Sequence, residues 1–446
     1  MNAREPPNLE QNLSDFSGHS CAGSIDSPAL TRPLPLPLTH RLWQRLPAGS
    51  RRGLLTRLLP LLAPRPVTPP PPAPGGVIVA GEFSRASGLG EGARLMLRAL
   101  VARGIPAWPL DLGTLLPAHT PDLPPPPPAA PPPDAALVLH VNPPLLPLAL
   151  TRLPRGLVRG RRIVGYWVWE LPQAPPGWRH AARLVHDIWT PSRFSAAALA
   201  AFGTPLVVPH PLAEAPLLPA PLTRVDFGLP EGAVVVLVSC NLASSFARKN
   251  PLAAVAAFRA AFGDRRDRLL VLKLGHPDHD PAGFAGVRAA IATAPNIRLE
   301  TRVLPGPDVL ALTACADLVL SLHRSEGMGL VPAEAMLLGR PVIATGWSGN
   351  LAFMDADSAA LVRYRLVPVA DPRAVYGGPR GGPRGGFSGG PSAVWAEADI
   401  ADAARHLRRL ADDAPARLAL GAAGAAMARA MLSADPLVAA VRGLAG

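Results

Sequence analysis

Between Gly75 and Asp435 the chain alternates short apolar runs with amphipathic stretches, and the two periods separate strands from helices. In the first half VIVAGEF reads as a strand, SRASGLGEGA as a glycine loop and Ala93–Arg103 as a helix, with further strands at Ala136–His140 and Ile163–Trp167. A second series begins with AVVVLVSC. It continues through a helix over Pro251–Phe262, the strand LLVLKLG, a strand over Leu318–Leu322, a helix over Ala333–Leu338 and a strand over Pro341–Thr345. Such alternation predicts an α/β chain of two Rossmann-like, doubly wound domains. The first spans residues 75–208 and the second residues 231–435, with proline-bearing residues 209–230 as the linker. Helical patterning resumes at Asp399, and residues 436–446 are expected to form a closing helix.

The remaining segments are too rich in Pro or Gly to build a core. Residues 1–74 end in PVTPPPPAPGG and read as a disordered, Pro-rich N-terminal extension. Residues 121–134, PDLPPPPPAAPPPD, interrupt the first domain as a stiff surface insertion, and the Gly-rich run at 377–390 reads as a mobile loop. Within the extension, residues 40–65 mix Arg with Leu and Trp43, a composition suited to short amphipathic helices lying on anionic lipid. Pro47 and Gly49 interrupt any single long helix there.

Composition narrows the class. The chain has 446 residues and a formal net charge of +12, so an anionic partner suits it. Nucleic acid is not expected, because the arginines are scattered and do not interleave with aromatics in one module. Lys occurs only at Lys249 and Lys273 against an Arg-rich background, which draws attention to both. Three cysteines, none with metal-ligand spacing, argue against a disulfide framework or a metal site. The amino terminus lacks a secretory pattern, and no uncharged apolar run reaches the roughly 18 residues of a bilayer span. The expectation is a cytoplasmic protein, with peripheral contact on the inner membrane face through residues 40–65.

The chemistry concentrates between Leu318 and Asn350, where Glu326 and Glu334 stand eight residues apart around Gly327 and Gly329. Glu326 is expected in the loop at a strand's carboxyl end, and Glu334 in the first turn of the next helix. Open α/β sheets bind ligands at that edge, where loop and helix-start amides, here from Gly327, Gly329 and Leu330, face phosphate oxygens. The plainer alternative is that an acid in a first helical turn merely complements the macrodipole, worth about 0.3–1 kcal/mol. In the first domain, Gly88 and Gly90 would let a strand-to-helix loop approach phosphate, although any tight turn needs such residues. Arg248, Lys249 and Lys273 are the cations available to a diphosphate.

SEGMGLVPAEAMLLGRPVIAT resembles the E-x7-E signature of the retaining GT-B glycosyltransferases of family 4. GYWVWELPQAPPGW, IWTPSRFSAAAL and SSFARKNPLAAVAAF resemble further blocks of its bacterial, polysaccharide-type members. The resemblance implies two Rossmann-like domains facing a cleft. It also implies metal-independent transfer of a sugar from a nucleoside-diphosphate donor to a glycan or glycolipid acceptor, with no other cofactor. Glu334 would bind the ribose, Glu326 the donor sugar and Lys249 the phosphates, with Arg248 or Lys273 replacing a family Arg missing near Ala243 and Ser244. The family's sugar-contacting His is also missing after RRIVGYWVWE. Glu170 is the candidate replacement, with His140 and Asn142 as further candidates facing the acceptor. The alternatives are a catalytically silent GT-B scaffold subunit and a nucleotide-sugar epimerase on the same fold.

Overall fold

A computed structural model describes residues 61–85, 87–113, 127, 129–372, 376 and 393–446. The expectations for residues 1–60, for half of the Pro-rich insertion and for the Gly-rich run at 377–390 lie outside those residues.

The first sheet holds β1 (Val77–Gly81), β2 (Ala107–Asp111), β3 (Ala136–Leu139), β4 (Ile163–Tyr166), β5 (Asp187–Thr190) and β6 (Leu206–Val207). Its order is β2-β1-β3-β4-β5-β6 and every pairing is parallel. Both faces are covered, which is why strands such as VIVAG read as continuous apolar runs and not as alternation. On one face Val77 and Val79 pack under helix Gly88–Ala102 through Met96 and Leu100. On the other, Ile78, Leu137 and Trp167 pack with Leu146, Val158 and Trp178 from the connections that follow β3 and β4.

The second sheet holds β7 (Val234–Asn241), β8 (Arg268–Gly275), β9 (Ile297–Glu300), β10 (Leu318–Ser321), β11 (Val342–Thr345) and β12 (Ala360–Val362). The order is β12-β11-β10-β7-β8-β9, again all parallel. Helices Pro251–Phe262 and Ile400–Asp412 cover one face through Phe258 and Leu407. Helix Leu330–Leu337 covers the other through Ala333 and Met336. β13 (Tyr364–Pro368) and β14 (Val394–Ala398) form a separate antiparallel ribbon. Each sheet reverses direction once, between β1 and β3 and between β7 and β10, and ligands of such folds bind at those two crevices.

Two elements differ from the sequence reading. The first helix starts at Gly88 and not at Ala93, because Ser87 Oγ accepts from Gly90 N at 3.0 Å and caps a glycine-rich first turn. The helix carrying Glu334 starts at Leu330, where Gly329 in the left-handed region (φ 97°) turns the chain directly into it. Glu334 is therefore in the second turn and outside the first-turn dipole arrangement.

The carboxyl-terminal stretch Ala414–Arg442 is long and apolar enough to cross a membrane by length and composition. Here it breaks into helices Ala414–Met431 and Asp435–Arg442 and is spent on packing. A Cβ at Gly421 would lie 2.4 Å from the Gly339 carbonyl oxygen, so the first of these helices lies close against the second domain. Leu437 and Val441 of the second join the core of the first domain. Ala73 N donates to Leu444 O at 2.7 Å beside them.

Candidate active site

The loop after β10 carries Glu326 into the β7/β10 crevice. Its main chain is held on both sides: Glu326 N donates to Ser348 Oγ at 2.9 Å, and Gly349 N donates to Glu326 O at 2.9 Å. Ser348 has φ 87° and ψ −153°, a conformation essentially reserved for glycine, so backbone strain sits directly against the Glu326 main chain. A Cβ at Gly349 would lie 2.1 Å from Gly327 O, which restricts that position to glycine.

Two cations approach Glu326 from the loop after β7, on the short helix Phe246–Lys249 capped by Ser245. Arg248 Nη1 lies 2.9 Å from Glu326 Oε2, and Lys249 Nζ lies 2.6 Å from Glu326 Oε1. Arg248 also donates to Ser325 O at 2.7 Å and to Ser244 Oγ at 2.9 Å, which fixes its plane. Burial would raise the Glu326 carboxyl, but the charges of Arg248 and Lys249 outweigh it and hold the group well below the usual carboxylate range. Burial likewise works against the Arg248 cation, and Glu326 reverses the sign. Glu326 is ionised at all physiological pH values, clamped between two positive groups.

Glu170 comes in from the first domain. Ser325 Oγ donates to its carbonyl, and burial pushes its carboxyl up against the opposing pull of Arg248. Tyr376 completes the group: it hydrogen-bonds Glu170, lies 5.8 Å from the Arg248 guanidinium carbon and packs 5.6 Å from the Trp169 ring. Sequence reasoning passed over Tyr376 because it stands at the edge of a low-complexity run, and over Ser348 because its strain is visible only in the backbone.

The other predicted residues fall into different surroundings. Lys273 sits on β8 opposite Glu300 in register; burial lowers its pKa, and it forms no ion pair among the described residues. Glu334 faces the first domain, where burial first and Glu91 second push its carboxyl up to about 8. Glu91 is itself held by Arg94 at 2.7 Å and Arg98 at 2.8 Å. Gly88 is open to space, whereas a Cβ at Gly90 would lie 2.4 Å from Glu82 O, and the Gly90 amide already serves Ser87. That glycine is required by the turn.

His140 is fully buried below the crevice floor, stacked on Tyr166 at 4.4 Å with Nε2 at 3.3 Å from Met96 Sδ. Burial holds it neutral, and the structure does not bring it to Glu326. Asn142 pairs twice with the Val168 backbone, each bond 3.0 Å, and so ties together the loops after β3 and β4. Tyr166, Trp167, Trp169 and Trp178 are all core residues. Among the described residues no group of three or more His, Cys, Asp or Glu side chains is placed to hold a metal ion.

The two domains meet at Gly327, whose carbonyl accepts from Ser192 Oγ at 2.6 Å. A Cβ there would lie 2.4 Å from Val168 Cγ1. Gly327→Ala is therefore expected to cost about 1–3 kcal/mol of stability, as overpacking does. Adding Val168→Ala should restore most of it, and an equally large loss in the double variant in urea unfolding would show that this contact is not the cause.

Among known proteins, a stretch of the second domain finds a match. Residues 234–376 match the family model described as glycosyl transferases group 1. That span holds Arg248, Lys249, Glu326, Glu334 and Tyr376. Two curated relatives are D-inositol 3-phosphate glycosyltransferases. The one from Saccharomonospora viridis is 31% identical over 153 residues, 33% of this chain and 34% of the relative. The one from Nocardioides is 31% identical over 160 residues, 34% of each. The chain thus spans about a third of the curated relatives it matches. Among solved structures, sucrose-phosphate synthase from Thermosynechococcus elongatus superposes with TM-score 0.56 at 14% identity, covering 82% of this chain and 98% of the other. Anabaena HepE in complex with UDP and glucose superposes with TM-score 0.52 at 13% identity, covering 83% and 96%. The fold is GT-B, and the residues that match the group 1 model lie in its second half.

Proposed function

We propose that this protein is a retaining, family 4 glycosyltransferase that moves a sugar from a nucleoside-diphosphate donor to an acceptor hydroxyl on a bacterial surface glycan or glycolipid. The observation that carries the reading is the Arg248–Glu326–Lys249 cluster at the switch point of a domain matching the group 1 family. The Anabaena neighbour, which shares the fold, holds UDP and glucose.

In this reading the diphosphate lies against Arg248 and Lys249. It also meets the free amides at the start of helix Leu330–Leu337, which has no side-chain cap. Glu326 accepts from donor-sugar hydroxyls and Glu334 from the ribose. The bond between the anomeric carbon and the phosphate oxygen breaks, the acceptor oxygen bonds to the same face, and its proton passes to the departing phosphate. The two cations act where negative charge grows on that phosphate, so they favour the transition state over the ground state. Glu170 and Tyr376 border this position, and Glu170 stands in for the sugar-contacting His.

Thermal and urea unfolding with UDP, GDP and ADP tests the pocket. A nucleotide at 100 times its Kd should add about 2.7 kcal/mol of stability. The same nucleotide should add much less to the Glu334→Ala variant. If none of the three stabilises the wild type, the nucleotide-sugar reading fails. Retention is checked by the anomeric NMR signal of the first product.

A further inference from the structure

Residues 135–186 contain seven arginines and a single acid, Glu170, which is committed to the Glu326 cluster. Five of the seven, Arg152, Arg155, Arg159, Arg179 and Arg183, are exposed and form no ion pair among the described residues. They are carried by the connections from β3 to β4 and from β4 to β5. Those strands follow one another in one direction across the sheet, so right-handed crossovers place both connections on the same face. Their inner sides confirm it, since Leu146, Leu150, Val158, Trp178 and Ala181 all belong to one apolar cluster.

Ala63 joins that cluster, and His186 Nε2 holds Val67 O at 2.9 Å, so the segment beginning at residue 61 is fastened to the same face. It presents Leu61 and Leu62, which are 69% and 72% exposed. Leu145, 57% exposed, opens the helix that carries Arg152. Arginines without ion pairs and solvent-facing leucines on one face make a surface with two complementary affinities. The guanidinium groups suit phosphate, and the leucines suit an acyl boundary that a soluble polyanion does not offer.

We propose that this face of the first domain docks on an anionic phospholipid surface. None of its side chains is among those gathered at Glu326, so the proposal stands or falls independently of the glycosyl-transfer reading.

The full chain is mixed with vesicles of phosphatidylcholine alone or of phosphatidylcholine with phosphatidylglycerol, and the bound fraction is read by flotation. Binding is expected only with phosphatidylglycerol and should weaken with salt. Changing Arg152, Arg155, Arg159 and Arg183 together to Gln should lower partitioning at least about 100-fold, at roughly 1 kcal/mol per charge. Leu61→Ser with Leu62→Ser should weaken vesicle binding while leaving heparin binding unchanged. These side chains are exposed and unpaired, so the urea midpoints of both variants should match the wild type, which separates lost docking from lost folding. Wild-type binding by the four-Gln variant would overturn the assignment of this face. Heparin binding that loses as much as vesicle binding in the leucine variant, or no vesicle binding by the wild type, would overturn the lipid.

Discussion

Replacing Glu326 with Ala is expected to lower the unfolding free energy by about 3–5 kcal/mol, read as a shift in the urea midpoint, and, under the proposed function, to abolish turnover. Removing one partner of a buried ion pair leaves the other charge uncompensated, and here the loss strands two cations at once. Arg248 keeps only 4% of its side chain exposed, and among the described residues no other carboxylate lies within ion-pair distance of it. The contribution is intact at neutral pH. Because the folded-state pKa is depressed, the stabilisation is lost only as pH falls below the ordinary carboxylate range. Adding Arg248→Met to Glu326→Ala should recover part of the stability and none of the activity. Equal midpoints for wild type and Glu326→Ala would remove the ion pair from any account of the fold.

Glu334→Gln should move stability and nucleotide affinity in opposite directions. Its carboxyl is pushed up to about 8 from an ordinary value of 4.5, by burial and then by Glu91. Between those values the folded protein keeps a proton that the unfolded chain has released, so stability falls as pH rises through that window. The full shift would be worth about 4–5 kcal/mol in a dry site. Glu334 is only half-buried, and water screening reduces the expected gain for Gln at pH 8 to about 2 kcal/mol. The variant should also flatten the pH dependence of the urea midpoint. Under the proposed function the same change removes a charged acceptor from the ribose, costing about 1.5–3 kcal/mol, or roughly 10- to 100-fold in nucleotide Kd. Titrations of UDP by calorimetry at pH 6 and 8 check this. A variant that binds UDP as wild type does would take Glu334 out of the donor site.

The parallel sheets were legible because strands buried on both faces must be continuously apolar, as VIVAG and VVVLV are. The helix starts were less legible. Gly88, Gly90 and Gly92 look like loop residues to any propensity scale, yet Ser87 caps them, and a Cβ at Gly92 would lie 2.4 Å from the His210 ring, so close packing explains the glycine. Residue type alone would let the aromatics around Trp167 either fill a core or stack on a sugar, and their burial decides for core.

The sequence by itself determined the two α/β halves and the loop position of Glu326. These depend on local periodicity and residue type, which travel with the chain. Tertiary structure alone decided that Arg248 and Lys249 close on Glu326, that Glu334 meets Glu91 across the domains, and that His140 is sealed beneath Tyr166. Each of these depends on which loops the strand order brings to one edge of a sheet and on how much water the facing domain excludes. Neither quantity is a property of any short stretch of residues.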